Sequence, residues 1–402
     1  MFGRVFKAFE YRDFRLMWIG ACTSSIGTWM QTLAQSWLVY NISGSPFYLG
    51  LDVFLGQLPI MLLSLVGGVF ADRKDRRQLL LISQFIQMSC AFFLTLLVAL
   101  GLLKTVYPIL CLSVIVGFAQ AFGGPAYSAL IPSLVKSEDL PNAIALNSIQ
   151  FNLARVIGPV LGGIALTQLG AGWCFGLNGL SFIAVIITLY MVQTRFTPSA
   201  SKETVMQSMR TGFRFIRARE SMVALVVLAF TMTMLGIPLL NFLPVFAKDV
   251  FKAGPSGYTI LLSCSGLGSV TGALVVAGMA RKKGLGRSAL VMLALFGATM
   301  TSFALSNSLA MSCVFLFFSG AALMSVFAMV SSLVQLIVTD EMRGRVMSVY
   351  NVAFRGGMPI GSLACGALIP IFTAPIVIAA NGLLLVATAL YLLVVQRRIA
   401  AL

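Results

Sequence analysis

GGVFADRKDRRQLLLI, Gly67 to Ile82, joins two apolar runs through six consecutive charges: Asp72, Arg73, Lys74, Asp75, Arg76 and Arg77. Charged residues make up 10% of the 402-residue chain and hydrophobic ones 59%. The knot is therefore a local event in a composition far more apolar than that of soluble domains. On both sides of it the chain repeats apolar runs long enough to cross a hydrocarbon core of about 30 Å. Their positions predict twelve spans, near 14–41, 46–71, 77–101, 106–134, 140–168, 172–193, 222–247, 255–280, 286–306, 308–338, 342–370 and 374–396. Lipid leaves backbone polar groups no partner outside their own segment, so each run must be a helix. The expected fold class is an all-α membrane protein with no separate soluble domain.

The net charge of +16 could mark a nucleic-acid partner, but its distribution points to a bilayer. With the N-terminus inside, the inner loops hold clusters such as Arg73–Arg77, Arg210–Arg219, Arg281–Arg287 and Arg343–Arg345. The outer loops hold only Lys104, Lys248 and Lys252. That asymmetry sets an even number of spans, with both termini cytoplasmic, and argues against nucleic acid. The start, MFGRVFKAFEYRDFR, lacks the short apolar core and cleavage site of a signal peptide. Seven cysteines all fall within predicted spans with no CxxC pair, so neither a metal nor a disulfide role is expected. The chain has no histidine, which removes Ser-His triads and His proton relays. No GxxxxGK[ST] loop is present, so ATP is not the direct energy source and no cofactor is expected.

One long polar interval, Gln193 to Ser221, separates six spans from six. The expected domains are 1–193, a first six-helix bundle; 194–221, a cytoplasmic linker; and 222–402, a second bundle. Within the linker Met206, Met209, Phe213 and Ile216 recur at helical spacing with Arg210, Arg214 and Arg217 beside them. This predicts a basic amphipathic helix lying on the inner leaflet. The halves echo each other: ARVIGPVLGG (154–163) aligns with FRGGMPIGSL (354–363) at a shift of 200, pairing Arg155 with Arg355 and Pro159 with Pro359. The knot has a counterpart in ARKKGLGR, 280–287. Such repeats suggest a transporter whose cargo site lies between two pseudo-symmetric halves.

At this point the residues resemble a family. GVFADRKDRR is similar to the loop motif of the major facilitator superfamily, Gly-x-x-x-Asp-Arg-x-Gly-Arg-Arg; Gly68, Asp72, Arg73, Arg76 and Arg77 match, and Asp75 stands where the pattern prefers Gly. RVIGPVLGG resembles the fifth-span antiporter motif through Gly158, Pro159, Gly162 and Gly163. The opening FRLMWIGACTSSIGTWMQTLAQSWLVYNISGSPFYLGL and the late RGRVMSVYNVAFRGGMPIGSLACGAL look like the branch of macrolide-efflux and enterobactin-export permeases. The resemblance implies a monomeric permease of the cell inner membrane that works by alternating access. Proton-driven export of an amphipathic small molecule is expected; import of a small metabolite is the alternative. It also implies that the knot closes the cytoplasmic side, with Asp72 near the helix that starts at Met342 and the arginines near Glu138, Asp139, Asp340 or Glu341. A carboxylate at a helix N-terminus contributes about 0.3–1 kcal/mol when exposed. A topogenic loop is the plainer reading of the same charges.

Within the spans, polar residues need protein or water beside them. Ser24, Thr28, Gln31 and Gln35 form a stripe on the first span, flanked by Trp29 and Trp37; they either line a cargo cavity or bond helix to helix. Gln120, Tyr127, Asn241 and Met324 are further candidates. Arg155 and Arg355 sit about 20 Å from their span ends, where insertion costs roughly 2.5–3.5 kcal/mol. Each either attracts an anionic group of the cargo or packs between helices. Asp52 is the one acid within a span, about 9 Å below its outer end. Burial there penalises the charged form, which makes it the candidate for proton coupling; a solvated interfacial Asp is the alternative.

Overall fold

A computed structural model describes residues 6–193, 205–279, 284–396 and 399. Residues 194–204 of the linker and 280–283 of the second basic loop lie outside the described residues, as do the side chains of Asp72, Met206 and Asp340. Among the described residues every regular element is a helix. After a short turn at Lys7–Glu10 come α1 (Arg12–Ser43), α2 (Pro46–Arg73), α3 (Arg76–Ala99), α4 (Tyr107–Leu130), α5 (Leu140–Gln168) and α6 (Ala171–Met191). The second series is α7 (Val205–Arg217), α8 (Glu220–Gly236), α9 (Gly254–Met279), α10 (Leu285–Leu305), α11 (Leu309–Ile337), α12 (Asp340–Phe372) and α13 (Ala374–Tyr391).

The boundaries follow from local chemistry. Gly44 takes φ +61° after α1, and Pro46 opens α2 where its missing N–H costs nothing. Within the knot, Asp75 is the N-cap of α3: its Oδ1 accepts from the Arg77 amide at 2.9 Å. The span expected at 222–247 is not one helix. α8 stops at Gly236 and the chain continues through short turns at Pro238–Asn241 and Leu243–Val245 and a wide turn at Phe246–Val250. Pro238 and Pro244 each remove a backbone donor, so the hydrogen-bond ladder cannot run through.

Eleven helical stretches among the described residues are long and apolar enough to cross a membrane. α1, 32 residues long, is not one of them; Arg12, Asp13 and Arg15 open it and the Ser24–Gln35 stripe runs along it. Large apolar side chains on these helices stand exposed, Leu336 at 76% and Leu274 at 68% among them. An apolar surface of that extent belongs in lipid.

The chain divides into two compact units, Met1–Ser43 with Leu55–Lys202, and Gly44–Phe54 with Glu203–Leu402. In the first unit α1 packs on α5 and α6, and α3 on α4 and α6. α2 meets α4 through glycines: a Cβ on Gly67 or Gly117 would collide with the carbonyl of Ala121 or Gly56. A core of Phe14, Ala71, Leu80, Leu130, Leu146 and Leu189 closes the end that carries the knot. In the second unit α8 packs on α12, α9 on α11, and α10 on α11 and α13. Its interior is aromatic: Phe242, Phe246, Phe296 and Phe303 are fully buried, with the rings of Phe246 and Phe303 4.8 Å apart. α2 belongs to both units. Its first turns lie in the second, where Gly50 abuts the Ser362 carbonyl and Gly366 of α12.

Candidate functional site

The glycines of GPVLGG bring backbones together. On α5, a Cβ at Gly158 would meet the Trp29 side chain and the Ile26 carbonyl, and one at Gly162 would lie 2.9 Å from the Met30 Cα. α1 can approach this closely only because side chains are missing. Pro159 and Gly163 are buried beside this seam. The second unit builds the same seam between α12 and α8, but with Gly357 against Phe230 and Thr233 and Gly361 against Met234. At the shift of 200 these glycines align with Ile157 and Leu161, so the contact is repeated one residue out of register.

Arg155 stands one turn before Gly158, its guanidinium 5.9 Å from the centre of the Trp29 ring on α1, within cation–π range. Arg355 is exposed on α12. The two arginines that the repeat pairs therefore have different surroundings.

The stripe on α1 is hydrogen-bonded to its neighbours. Asn178 Nδ2 on α6 donates to Gln31 Oε1 at 2.7 Å, Gln31 Nε2 reaches Gln35 Oε1 at 3.5 Å, and Gln35 Nε2 donates to Ser113 Oγ on α4 at 3.0 Å. Ser24 is buried and Thr28 half-buried on the same helix. Gln120 Nε2 donates to Gln87 Oε1 at 3.1 Å, and Gln87 to Ser83 Oγ at 3.1 Å. Tyr127 bonds Asn147. Gln150 Nε2 donates to the Ala21 carbonyl and Ser25 Oγ of α1. In the second unit Asn241 Nδ2 donates to Ser362 Oγ at 2.7 Å. Asn178, Gln87, Gln150 and Ser113 escaped the sequence reading. The signal was there: each is a polar residue within a predicted span, and buried polar groups require partners.

Asp52 is buried, 8% exposed, in the segment of α2 that belongs to the second unit.

At the knot, Arg76 Nε donates to the Ala71 carbonyl at 3.0 Å and its Nη1 to the Ala129 carbonyl at 2.7 Å. Arg77 Nη2 donates to the Tyr190 carbonyl at 2.8 Å and lies 5.9 Å from the Tyr190 ring centre. Those carbonyls end α2, α4 and α6, where helices leave acceptors unmet and carry negative partial charge. Arg73 is exposed. A Cβ at Gly68 would meet nothing within 4 Å, whereas Gly67 is the close contact.

Asp139, named as a possible partner for the arginines, is bonded from the N-terminal turn. Lys7 Nζ lies 2.9 Å from Oδ1 and Tyr11 Oη donates to Oδ2 at 2.8 Å. The Ala8 amide donates to Asn142 Oδ1 at 2.9 Å. The bond to Asp139 pushes the titration of both Lys7 and Tyr11 above their ordinary values.

A cleft of about 540 Å³ opens between α8 and α13, with Val227, Thr231, Thr388 and Tyr391 on its walls and Glu220 at one end. None of the candidate residues lines it. Among the described residues no three His, Cys, Asp or Glu side chains are grouped to hold a metal.

A helical bundle with hydrogen-bonded amides and glycine seams between apolar helices is the architecture of a multi-pass membrane protein, and the comparisons specify which kind. The chain belongs to the transmembrane secretion effector family of the major facilitator superfamily, which matches residues 5–401. It is 26% identical over 351 residues to the staphyloferrin A transporter of Staphylococcus aureus, covering 84% of this chain and 85% of that one. It is also 26% identical over 394 residues to the enterobactin exporter EntS of Escherichia coli, covering 96% and 92%. These relatives are membrane transporters, not enzymes. The fold is similar to a crystal structure of the peptide transporter POT, with TM-score 0.78 at 11% identity over 97% of this chain and 95% of that one. It is likewise similar to the nucleoside transporter NupG, with TM-score 0.71 at 14% identity over 97% and 98%.

Proposed function

We propose that this protein is a secondary exporter of an amphipathic small molecule of the siderophore class, driven by proton exchange. It has twelve spans with both termini cytoplasmic, in the cell inner membrane, and acts as a monomer. Its domains are 1–193, the linker 194–221, and 222–402. The observation that carries the reading is the α5–α1 seam: Gly158 and Gly162 give the fifth span the close packing that the antiporter-type motif specifies. The match to a siderophore exporter along 96% of the chain supports direction and cargo class.

In this reading Gly68, Asp72, Arg73, Arg76 and Arg77 form the cytoplasmic gate, and Arg76 and Arg77 hold the helix ends that carry it. Thr28, Gln31, Gln35, Gln120, Asn241 and Arg355 line the cargo path, with Arg355 meeting an anionic group. Arg155, stacked on Trp29, belongs with Pro159 and Gly163 to the seam. Asp52 carries the proton. The test is uptake of enterobactin by everted membrane vesicles energised to an acidic interior. Accumulation that collapses on adding a protonophore is expected; vesicles that release preloaded enterobactin faster than they take it up would reverse the assigned direction.

A further inference from the structure

The basic helix between the two halves has two faces with different surroundings. α7 ends at Arg217, and the next membrane-crossing stretch begins at Glu220. Two residues of backbone hold α7 at the surface where α8 enters lipid. Arg219 lies between, its guanidinium 3.7 Å above the Phe215 ring, which fixes the corner. The small and apolar face of α7 is not turned to lipid. Ile216 is 4% exposed and Gly212 buried, and a Cβ on Gly212 would meet the Arg345 carbonyl of α12. α7 is docked on the start of α12.

The opposite face carries Arg210, Phe213, Arg214 and Arg217, all exposed, Phe213 at 57%. At 100° per residue these four fall within about 100° of arc. Basic residues in a last turn complement the helix dipole, which would account for Arg214 and Arg217. It accounts for neither Arg210 nor an exposed phenylalanine among the arginines. An aromatic side chain between guanidinium groups, next to a membrane entry point, fits a surface of anionic headgroups with acyl chains beneath.

We propose that α7 is a clamp between α12 and anionic phospholipid: Gly212 and Ile216 grip the start of α12, while Arg210, Arg214 and Arg217 bind headgroup phosphates and Phe213 enters the headgroup layer. The protein reads the charge of the leaflet through this helix, whatever its cargo or direction.

The full-length protein would be placed in nanodiscs of phosphatidylcholine alone or with about one third phosphatidylglycerol, and amide hydrogen exchange followed over 205–217. Each arginine near an anionic surface contributes roughly five-fold in affinity, so phosphatidylglycerol should slow exchange of α7 by at least about ten-fold. Salt near 1 M, which shortens the screening length to about 3 Å, should remove the effect. The variant R210Q/R214Q/R217Q should exchange alike on both discs while α8 to α13 keep wild-type protection. Gly212→Val should loosen α7 on neutral discs yet retain the response to phosphatidylglycerol. Wild-type exchange indifferent to lipid charge would overturn the proposal and leave the face to a soluble acidic partner. So would a charge response that survives either the salt or the triple variant.

Discussion

Gly67 and Gly68 are neighbours with opposite surroundings, and the contrast separates packing from gating. A side chain at Gly67 runs into the Ala121 carbonyl, and one at Gly162 into the Met30 backbone, while Gly68 faces open space. Gly162→Leu should therefore lower stability by about 1–3 kcal/mol through overpacking, read as a lower melting temperature in detergent. Gly68→Ala should leave stability unchanged or raise it by up to roughly 1 kcal/mol, since Ala suits a helix interior better than Gly. If Gly68→Ala then transports enterobactin slowly although stable, the residue serves the gate; wild-type transport would remove it from the gate. The motif spelled out which glycines matter to the family but not which of them touch anything. That depends on the facing helix, which no spacing rule supplies. The arginines teach the same lesson. Their number beside helix ends was legible, but that Arg76 would satisfy the Ala71 and Ala129 carbonyls required knowing that α2 and α4 end side by side.

Elements were legible where apolar length alone decides them. Eleven of the twelve spans read from the sequence recur among the described residues as helical stretches able to cross a membrane, because lipid enforces internal hydrogen bonding. The stretch 222–247 recurs as one membrane-crossing stretch but not as one unbroken helix, because proline interrupts it after Gly236, and on α7 a glycine joins Ile216 on the packed face. The sequence reading missed the tie between the N-terminal turn and α5, since Lys7 and Asp139 lie far apart in sequence. That tie makes a pH prediction. Lys7 and Tyr11 both titrate above their ordinary values because of Asp139. A group whose folded value is raised contributes stability that is complete below its unfolded value, about 10.4 for Lys and about 10 for Tyr. That contribution is lost as pH rises through the folded value. The clasp should thus hold unchanged across neutral pH and open in alkali; it should also open in acid, as Asp139, whose titration Lys7 and Tyr11 hold below its ordinary value, takes up a proton. Phenolate absorbance, taken as wild type minus Tyr11→Phe, should show Tyr11 ionising late, and Asp139→Asn should bring its titration back to lower pH. A Tyr11 titration that Asp139→Asn leaves in place would break the assignment.

At the scale of the whole molecule, the proposed proton-driven export needs a group that carries the proton, and acids are scarce: twelve in 402 residues. Asp139 is taken by the N-terminal clasp and Asp75 caps α3. Asp52, buried like Asp139, differs from both in its place on α2, a helix divided between the two units. Residues 44–54 of that helix region go with the second unit and the remainder with the first. Alternating access would then bury and rehydrate it in turn, favouring proton uptake in one state and release in the other. Asn keeps the shape and removes the proton. Asp52→Asn should therefore abolish accumulation of enterobactin against its gradient in acid-interior everted vesicles, while downhill exchange of labelled for unlabelled cargo continues. Loss of both activities with normal folding would mark Asp52 as part of the cargo path. Gradient-driven accumulation by the variant at the wild-type rate would remove Asp52 from coupling and pass the role to Asp72 or to a different ion.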